Sequence, residues 1–283
     1  MSNTRVIFLI GMQKAGTSAL HQALSVINGF NAPLMFKDLH YYSNPKIRER
    51  YKLNIHDYIK ENTINIFGGV NTFFFINECI DDIIADFPDA EFMLVLRNPY
   101  ERAVSSWRYF TELGLENRPF KDCWYNEYLG TDHDKLAQMS YRSQGLYFDK
   151  LKFLIKRVGN SRVHIFSYKT LLGDVNAWLS HNGFNRGLAE LPRVNVTGAP
   201  RSKFLNNLVF GDSVLRRLIA SLPLDTPFWL RIKNSISVLL RKYNSDRKNI
   251  QSKREILSEE MKNYYDSDID RVKQLIGVDL SKS

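Results

Sequence analysis

Cysteine is scarce: only Cys79 and Cys123 occur in 283 residues. Two thiols are too few for a disulfide framework or a zinc site, so both are expected to be reduced packing residues. Long apolar runs are missing as well. No stretch approaches the roughly 20 residues that a membrane-spanning helix needs. The apolar start, VIFLI, runs straight into a glycine turn and lacks the small-residue cleavage site of a secretory leader. The expectation is a soluble, cytoplasmic chain. Internal repeats, low-complexity tracts and obvious linkers are also absent, so residues 1–283 are expected to form one domain. His21, His56, His133, His164 and His181 show no metal-ligand spacing, and no metal is expected.

Acidic residues are thin in one region. Residues 201–254 carry twelve Lys or Arg against three Asp, a surplus equal to the whole chain's net charge of +9. Such a segment suits an anionic cofactor, an acidic acceptor or an anionic surface; equally, it suits a solvated face that keeps the chain soluble. No nucleic-acid partner is expected.

What is present is an ordinary globular composition, 44% hydrophobic and 24% charged. Three runs read as strands: VIFLI (6–10), FMLVL (92–96) and VHIFSY (163–168). Each is nearly continuous rather than alternating, as for parallel strands covered on both faces. Helical patterns lie between them, at 17–27, 100–112 and 143–157. Thr17 and Ser18 suit a helix N-terminus. After residue 200 the pattern is helical, at 213–221, 227–243 and 258–276. The fold class expected is α/β, a three-layer, P-loop-like arrangement with a central parallel sheet and a helical C-terminal portion.

The first strand ends in GMQKAGTSAL (11–20). A glycine-rich turn between a buried strand and a helix points backbone N–H groups at one spot, and the helix dipole adds positive potential there. Gly11 and Gly16 have the spacing of a Walker A loop, but Thr17 stands where that motif has lysine, and the cation is Lys14 inside the loop. The run FMLVL leads to Arg97, not to the aspartate that would hold magnesium. An added arginine without a metal carboxylate suits an anion neutralised by protein cations alone.

These segments carry a family resemblance. QKAGTSAL (13–20) resembles the 5′-phosphosulfate loop of sulfotransferases that use 3′-phosphoadenosine 5′-phosphosulfate (PAPS). RNPYERAVSSW (97–107) resembles their 3′-phosphate segment, through Arg97, Pro99 and Ser105. SQGLYFDKLKFLIKRVGNSRVHIFSY (143–168) is similar to the family's GLY-helix-strand stretch. The likeness spans residues 5 to 205, leans toward the carbohydrate (heparan sulfate) type and its bacterial relatives, and continues loosely through Asn195 to Arg201 and the closing helices. It implies that Lys14 steadies the leaving group and that Ala15, Gly16, Thr17, Ser18 and Ala19 hold the 5′-phosphate. Arg97 and Ser105 would hold the 3′-phosphate, and Arg201 and Lys203 would close over the donor.

The segment LMFKDLHYYSN (34–44) resembles the family's K-E-x-H-F-F stretch, whose glutamate is the proposed general base. Asp38 stands there, one methylene shorter. Lys37 would help position the sulfuryl group, and His40 is the alternative base. In GGVNTFFFINE (68–78), the resemblance implies that Asn71 and Thr72 replace, as acceptor contacts, the acidic residue and serine that many relatives carry there, whereas Phe73 to Phe75 read as core. The basic amphipathic stretch 227–243 either lies on an anionic membrane or packs on its own domain.

The expected activity is therefore transfer of a sulfuryl group from PAPS to an acceptor hydroxyl, on a carbohydrate or glycolipid. Adenosine 3′,5′-bisphosphate (PAP) would be released, and no metal would be required. The alternatives are a small-molecule kinase built on the same loop and a catalytically silent nucleotide-binding module. Oligomeric state is not legible.

Overall fold

The computed structural model describes residues 4–36, 41–42, 49, 52–68, 77–112, 115–127, 139–185, 187–192, 199–200, 245–246 and 258–281. Five parallel strands form the central sheet: β1 (Arg5–Leu9), β2 (Phe30–Asn31), β3 (Ile64–Phe67), β4 (Glu91–Leu96) and β5 (Val163–Ser167), in the order β2-β3-β1-β4-β5. The three strands read from sequence are β1, β4 and β5, each within a residue of the expected bounds. Phe92 to Leu96 are all fully buried, which explains why that run does not alternate.

Strand β3 was not anticipated. Its sequence, INIF, is short and carries a buried asparagine. Asn65 is nevertheless satisfied. Its Oδ1 accepts from Asn31 Nδ2 (2.7 Å) and Lys60 N (2.9 Å), and its Nδ2 donates to Arg5 O and Lys60 O. A polar side chain can occupy a strand interior when every donor and acceptor is paired.

Helices make the crossovers: α1 (Thr17–Ser25) between β1 and β2, and α2 (Asn77–Asp86) between β3 and β4. Between β4 and β5 come α3 (Pro99–Glu112), α4 (Phe120–Tyr125) and α5 (Phe148–Val158). From β1 the chain moves toward β2; from β3 it crosses β1 to reach β4. With right-handed crossovers these two connections lie on opposite faces of the sheet. The direction of winding reverses between β1 and β4, so a crevice opens beyond their C-terminal ends.

Helix α6 (Leu171–His181) follows β5, and α7 (Glu259–Asn263) and α8 (Asp266–Ile276) close the described chain. The pattern at 143–157 divides into a 3-10 turn, Ser143–Gly145, and α5. Asp268 of α8 accepts from the backbone N–H groups of Tyr147 (2.7 Å) and Phe148 (3.3 Å), and so caps α5 from a distant part of the sequence. Arg271 stacks on Phe148, 3.7 Å from the ring centroid. Residues 213–221 and 227–243 lie outside the described residues; Ala199–Pro200 pairs antiparallel with Ser245–Asp246. Cys79 and Cys123 are buried, and neither is in a disulfide. Among the described residues no helix is long and apolar enough to cross a membrane.

The opposite end of the sheet is fastened by charge. Arg5 donates from Nε and Nη2 to the two oxygens of Glu91, both at 2.7 Å, and from Nη1 to Asn182 Oδ1. His164 Nε2 lies 2.6 Å from Glu91 Oε2. Burial pushes the Glu91 pKa up, but hydrogen bonds with His164 and Arg5 and their charges outweigh it and bring the value from 4.5 down to about 2. The native state thus favours ionised Glu91. This stabilisation is complete above the unfolded-state value and is lost as pH falls toward the folded one. Glu91→Gln is expected to destabilise the fold by about 2 kcal/mol at pH 7. In urea denaturation the gap between wild type and variant should narrow steadily from pH 4.5 to pH 2; a gap independent of pH would remove Glu91 from this role.

Candidate functional site

Two loops meet beyond the C-terminal ends of β1 and β4. The loop after β1 is held from inside by alternate burial: Met12 and Ala15 are buried, whereas Gln13, Lys14 and residues 16–19 are half-buried. Ile10 N–H donates to Met93 O (3.0 Å), and Gly11 presses against β4. A Cβ at Gly11 would lie 2.6 Å from Val95 N, so only glycine fits that approach.

Lys14 adopts the left-handed region (φ 65°), unusual for a side chain of its size. Gly16 does the same (φ 94°) and is the N-cap of α1 without any side-chain cap hydrogen bond. Thr17 opens the helix, as the sequence pattern places it, and the left-handed turn puts the glycine at the cap. The first N–H groups of a helix have no partner within it, so the amino end of α1 is set up to receive an anion. Ala15 N–H is already engaged, donating to Met12 O at 3.2 Å. Among the loop positions read from sequence, the backbone donor of Ala15 thus serves the loop's own turn.

Arg97 follows β4 directly, and its side chain is only 20% exposed. Nη1 donates to Lys14 O (3.3 Å), Nε donates to Glu101 Oε2 (3.2 Å), and the guanidinium lies 4.5 Å from the Tyr168 ring centroid. Its own carbonyl accepts from Tyr147 Oη at 3.0 Å. Lys14 and Arg97 therefore belong to one crevice. Ser105 is half-buried on α3. The neighbouring Ser106 is fully buried and donates to Gln13 Oε1 (3.1 Å), binding helix to loop. The tip of Lys14 rests on α3 as well, with Nζ 4.2 Å from the Tyr109 ring centroid.

Beside Arg97 opens a cavity of about 130 Å³, walled by Asn98, Ser167, Tyr168, Lys169 and Leu280. Asn98 has two jobs. Its Oδ1 accepts from Tyr100 N and Glu101 N at the start of α3, and its Nδ2 donates to Leu280 O (2.8 Å). The Asn-Pro pair that opens α3 is legible as a helix start. The seating of Leu280, Tyr168 and Tyr109 is not, because those contacts join segments far apart in sequence. Lys37, Asp38, His40, Asn71, Thr72, Arg201 and Lys203 lie outside the described residues. Their flanks are described in one case: Phe36 and Tyr41 are buried, with ring centroids 5.9 Å apart, and Phe36 meets Phe67 at the end of β3 (5.3 Å). Among the described residues no group of three His, Cys, Asp or Glu side chains could hold a metal.

A sulfotransferase domain model matches residues 4–180, more than half of the chain. The chain belongs to the sulfotransferase family. Among solved structures, a sulfotransferase from Alicyclobacillus acidocaldarius aligns over 97% of this chain and 96% of its own, with a TM-score of 0.56 and 16% identity. At that identity the likeness establishes the shared fold. No curated protein matches by sequence. This sulfotransferase therefore places its glycine loop and Arg97 at the switch crevice of a parallel sheet, the position where such folds take their ligands.

The loop's fit to β4 can be tested without a ligand. Gly11→Ala is expected to destabilise the protein by about 2 kcal/mol, because the atom it meets is backbone. Gly173→Ala, on α6 with open space around it, should be neutral or stabilising by up to about 1 kcal/mol. Equal effects at the two sites, read from urea midpoints, would refute the close approach.

Proposed function

We propose that this sulfotransferase takes its sulfuryl group from PAPS and delivers it to a hydroxyl on a carbohydrate or glycolipid. The observation that supports the donor is the hydrogen bond from Arg97 to Lys14 O, which ties the guanidinium that follows β4 to the backbone of the lysine loop that follows the adjacent parallel strand β1. PAPS is anionic at both ends of its ribose, and a crevice with a cation and an uncapped helix end on one side and an arginine on the other matches that charge. The residues present fit the donor on these grounds.

In this reading, Thr17, Ser18 and the first N–H groups of α1 bind the 5′-phosphate. Arg97 and Ser105 bind the 3′-phosphate, Arg97 through charge-assisted hydrogen bonds. Lys14 neutralises charge on the bridging oxygen as the sulfur–oxygen bond breaks. Asp38 takes the proton of the attacking hydroxyl, and Lys37 steadies the transferring group. Arg201 and Lys203 close over the donor. The new bond forms from acceptor oxygen to sulfur, opposite the breaking one, and PAP leaves. In the sequence, residues 37–38 lie between Phe36 and Tyr41, both of which are buried. The basic region at 201–254 suits an acidic acceptor or an anionic lipid surface.

Calorimetry in magnesium-free buffer should give PAP at least a roughly tenfold tighter dissociation constant than AMP, because the 3′-phosphate meets Arg97. Equal affinity would end the PAPS reading, and a strict need for magnesium and ATP would favour the kinase. In PAPS-dependent transfer to a panel of sugar and glycolipid acceptors, Lys14→Ala is expected to lower turnover by about 10² or more. Asp38→Asn should do so by a similar factor while leaving PAP affinity unchanged. Undiminished turnover in Asp38→Asn would pass the role of base to His40.

A further inference from the structure

The proposed reaction uses Lys14 but says nothing of what aims it. Lys14 is half-buried, its backbone is held in the left-handed region, and its carbonyl is fixed by Arg97. Its ammonium does not extend along α1 but crosses to α3, 4.2 Å from the centre of the Tyr109 ring. Tyr109 comes four residues after Ser105, and Glu112 three residues after Tyr109, so the three share one face of α3. The Lys14 charge reaches the Glu112 carboxyl: burial raises that group's pKa, and Lys14 and Arg108 oppose the rise. One helix face thus carries the serine assigned to the 3′-phosphate, an aromatic ring under the loop cation and a carboxyl beyond it.

We propose that Tyr109 is the positioning residue for Lys14, its ring face seating the ammonium where the donor's 5′-phosphate end arrives. The inference rests on the PAPS reading above. A lysine side chain has several freely rotating bonds, and ordering it on binding opposes affinity. An ammonium over an aromatic face is attracted by the ring's quadrupole, most strongly where water is partly excluded. The ring therefore removes rotamer freedom before the ligand arrives. The phenol hydroxyl is not needed for this, so phenylalanine should substitute, whereas leucine has no quadrupole.

The test compares PAP with 3′-AMP, which lacks the 5′-phosphate, by calorimetry in magnesium-free buffer. Tyr109→Leu is expected to weaken PAP about three- to tenfold and to leave 3′-AMP within about twofold. Tyr109→Phe should retain PAP affinity within about twofold of wild type. The Lys14→Ala/Tyr109→Leu double variant should bind PAP no more weakly than Lys14→Ala alone, because the ring acts only through the lysine. Wild-type PAP affinity in Tyr109→Leu, loss in Tyr109→Phe equal to that in Tyr109→Leu, or additive loss in the double variant would each overturn the proposal. So would equal weakening of 3′-AMP, which would mark general damage to α3. A wild-type protein that does not prefer PAP to AMP would defeat the donor reading itself; one that does, paired with an unaffected Tyr109→Leu, would defeat this inference alone.

Discussion

The constraint on which the rest depends is that the loops after two neighbouring strands must be locked to each other, and Arg97 locks them through Lys14 O. Its guanidinium has five N–H groups in a rigid plane. One is spent on Lys14 O and one on Glu101, and the flat face rests on Tyr168. The remaining donors are then aimed by the geometry of the first two. A partly exposed ion pair such as that with Glu101 adds little stability by itself. Its value is orientation, because a guanidinium already held in place loses less freedom when a phosphate arrives.

Support for Arg97 runs outward to the end of the described chain. Tyr147 Oη donates to the Arg97 carbonyl, and the Tyr147 N–H is in turn held by Asp268 on α8. Asn98, the next residue, holds Leu280. Gly145 is pressed against Tyr265, whose hydroxyl donates to Arg142 O. The closing helix is therefore more than a lid on the hydrophobic core. It fixes the turn before α5, and that turn fixes the backbone at the end of β4. Damage at Asp268 would reach the crevice through two hydrogen bonds in series, without touching any residue assigned to the ligand.

How much of this could be read from the sequence follows from which interactions are local. Strands β1, β4 and β5 were legible because burial on both faces imposes a continuous apolar run. The loop was legible because a close approach to β4 and a left-handed turn admit little except glycine, so Gly11 and Gly16 stand out. Lys14 and Arg97 could be assigned to one crevice since both follow strands that a parallel sheet brings side by side. Strand β3 was hidden by Asn65, whose polarity argues against a buried strand until its partners from Asn31 and Lys60 are seen. The start of α1 at Thr17 was legible, but the role of Gly16 as its left-handed cap was not. Tyr109, Tyr168 and Leu280 gave no signal, because their roles exist only through contacts across the fold.

The position of the lysine follows from the same geometry. Had it stood at position 17, in the first turn of α1, its stem would have started from the helix that supplies the N–H groups. At position 14 it starts from within the loop, in a left-handed backbone conformation that its surroundings help to impose. Arg97 supplies part of that imposition by holding the carbonyl, and α3 receives the other end of the side chain. The cation and the helix terminus then face the proposed phosphosulfate from different directions. Two donors of positive potential on separate elements can follow charge as it moves from sulfur to the bridging oxygen, which a single helix end cannot do. In the proposed reading, with Arg97 at the far end of the nucleotide, protein groups cover the distribution of charge that a magnesium ion and its carboxylate would serve in a Walker-type site.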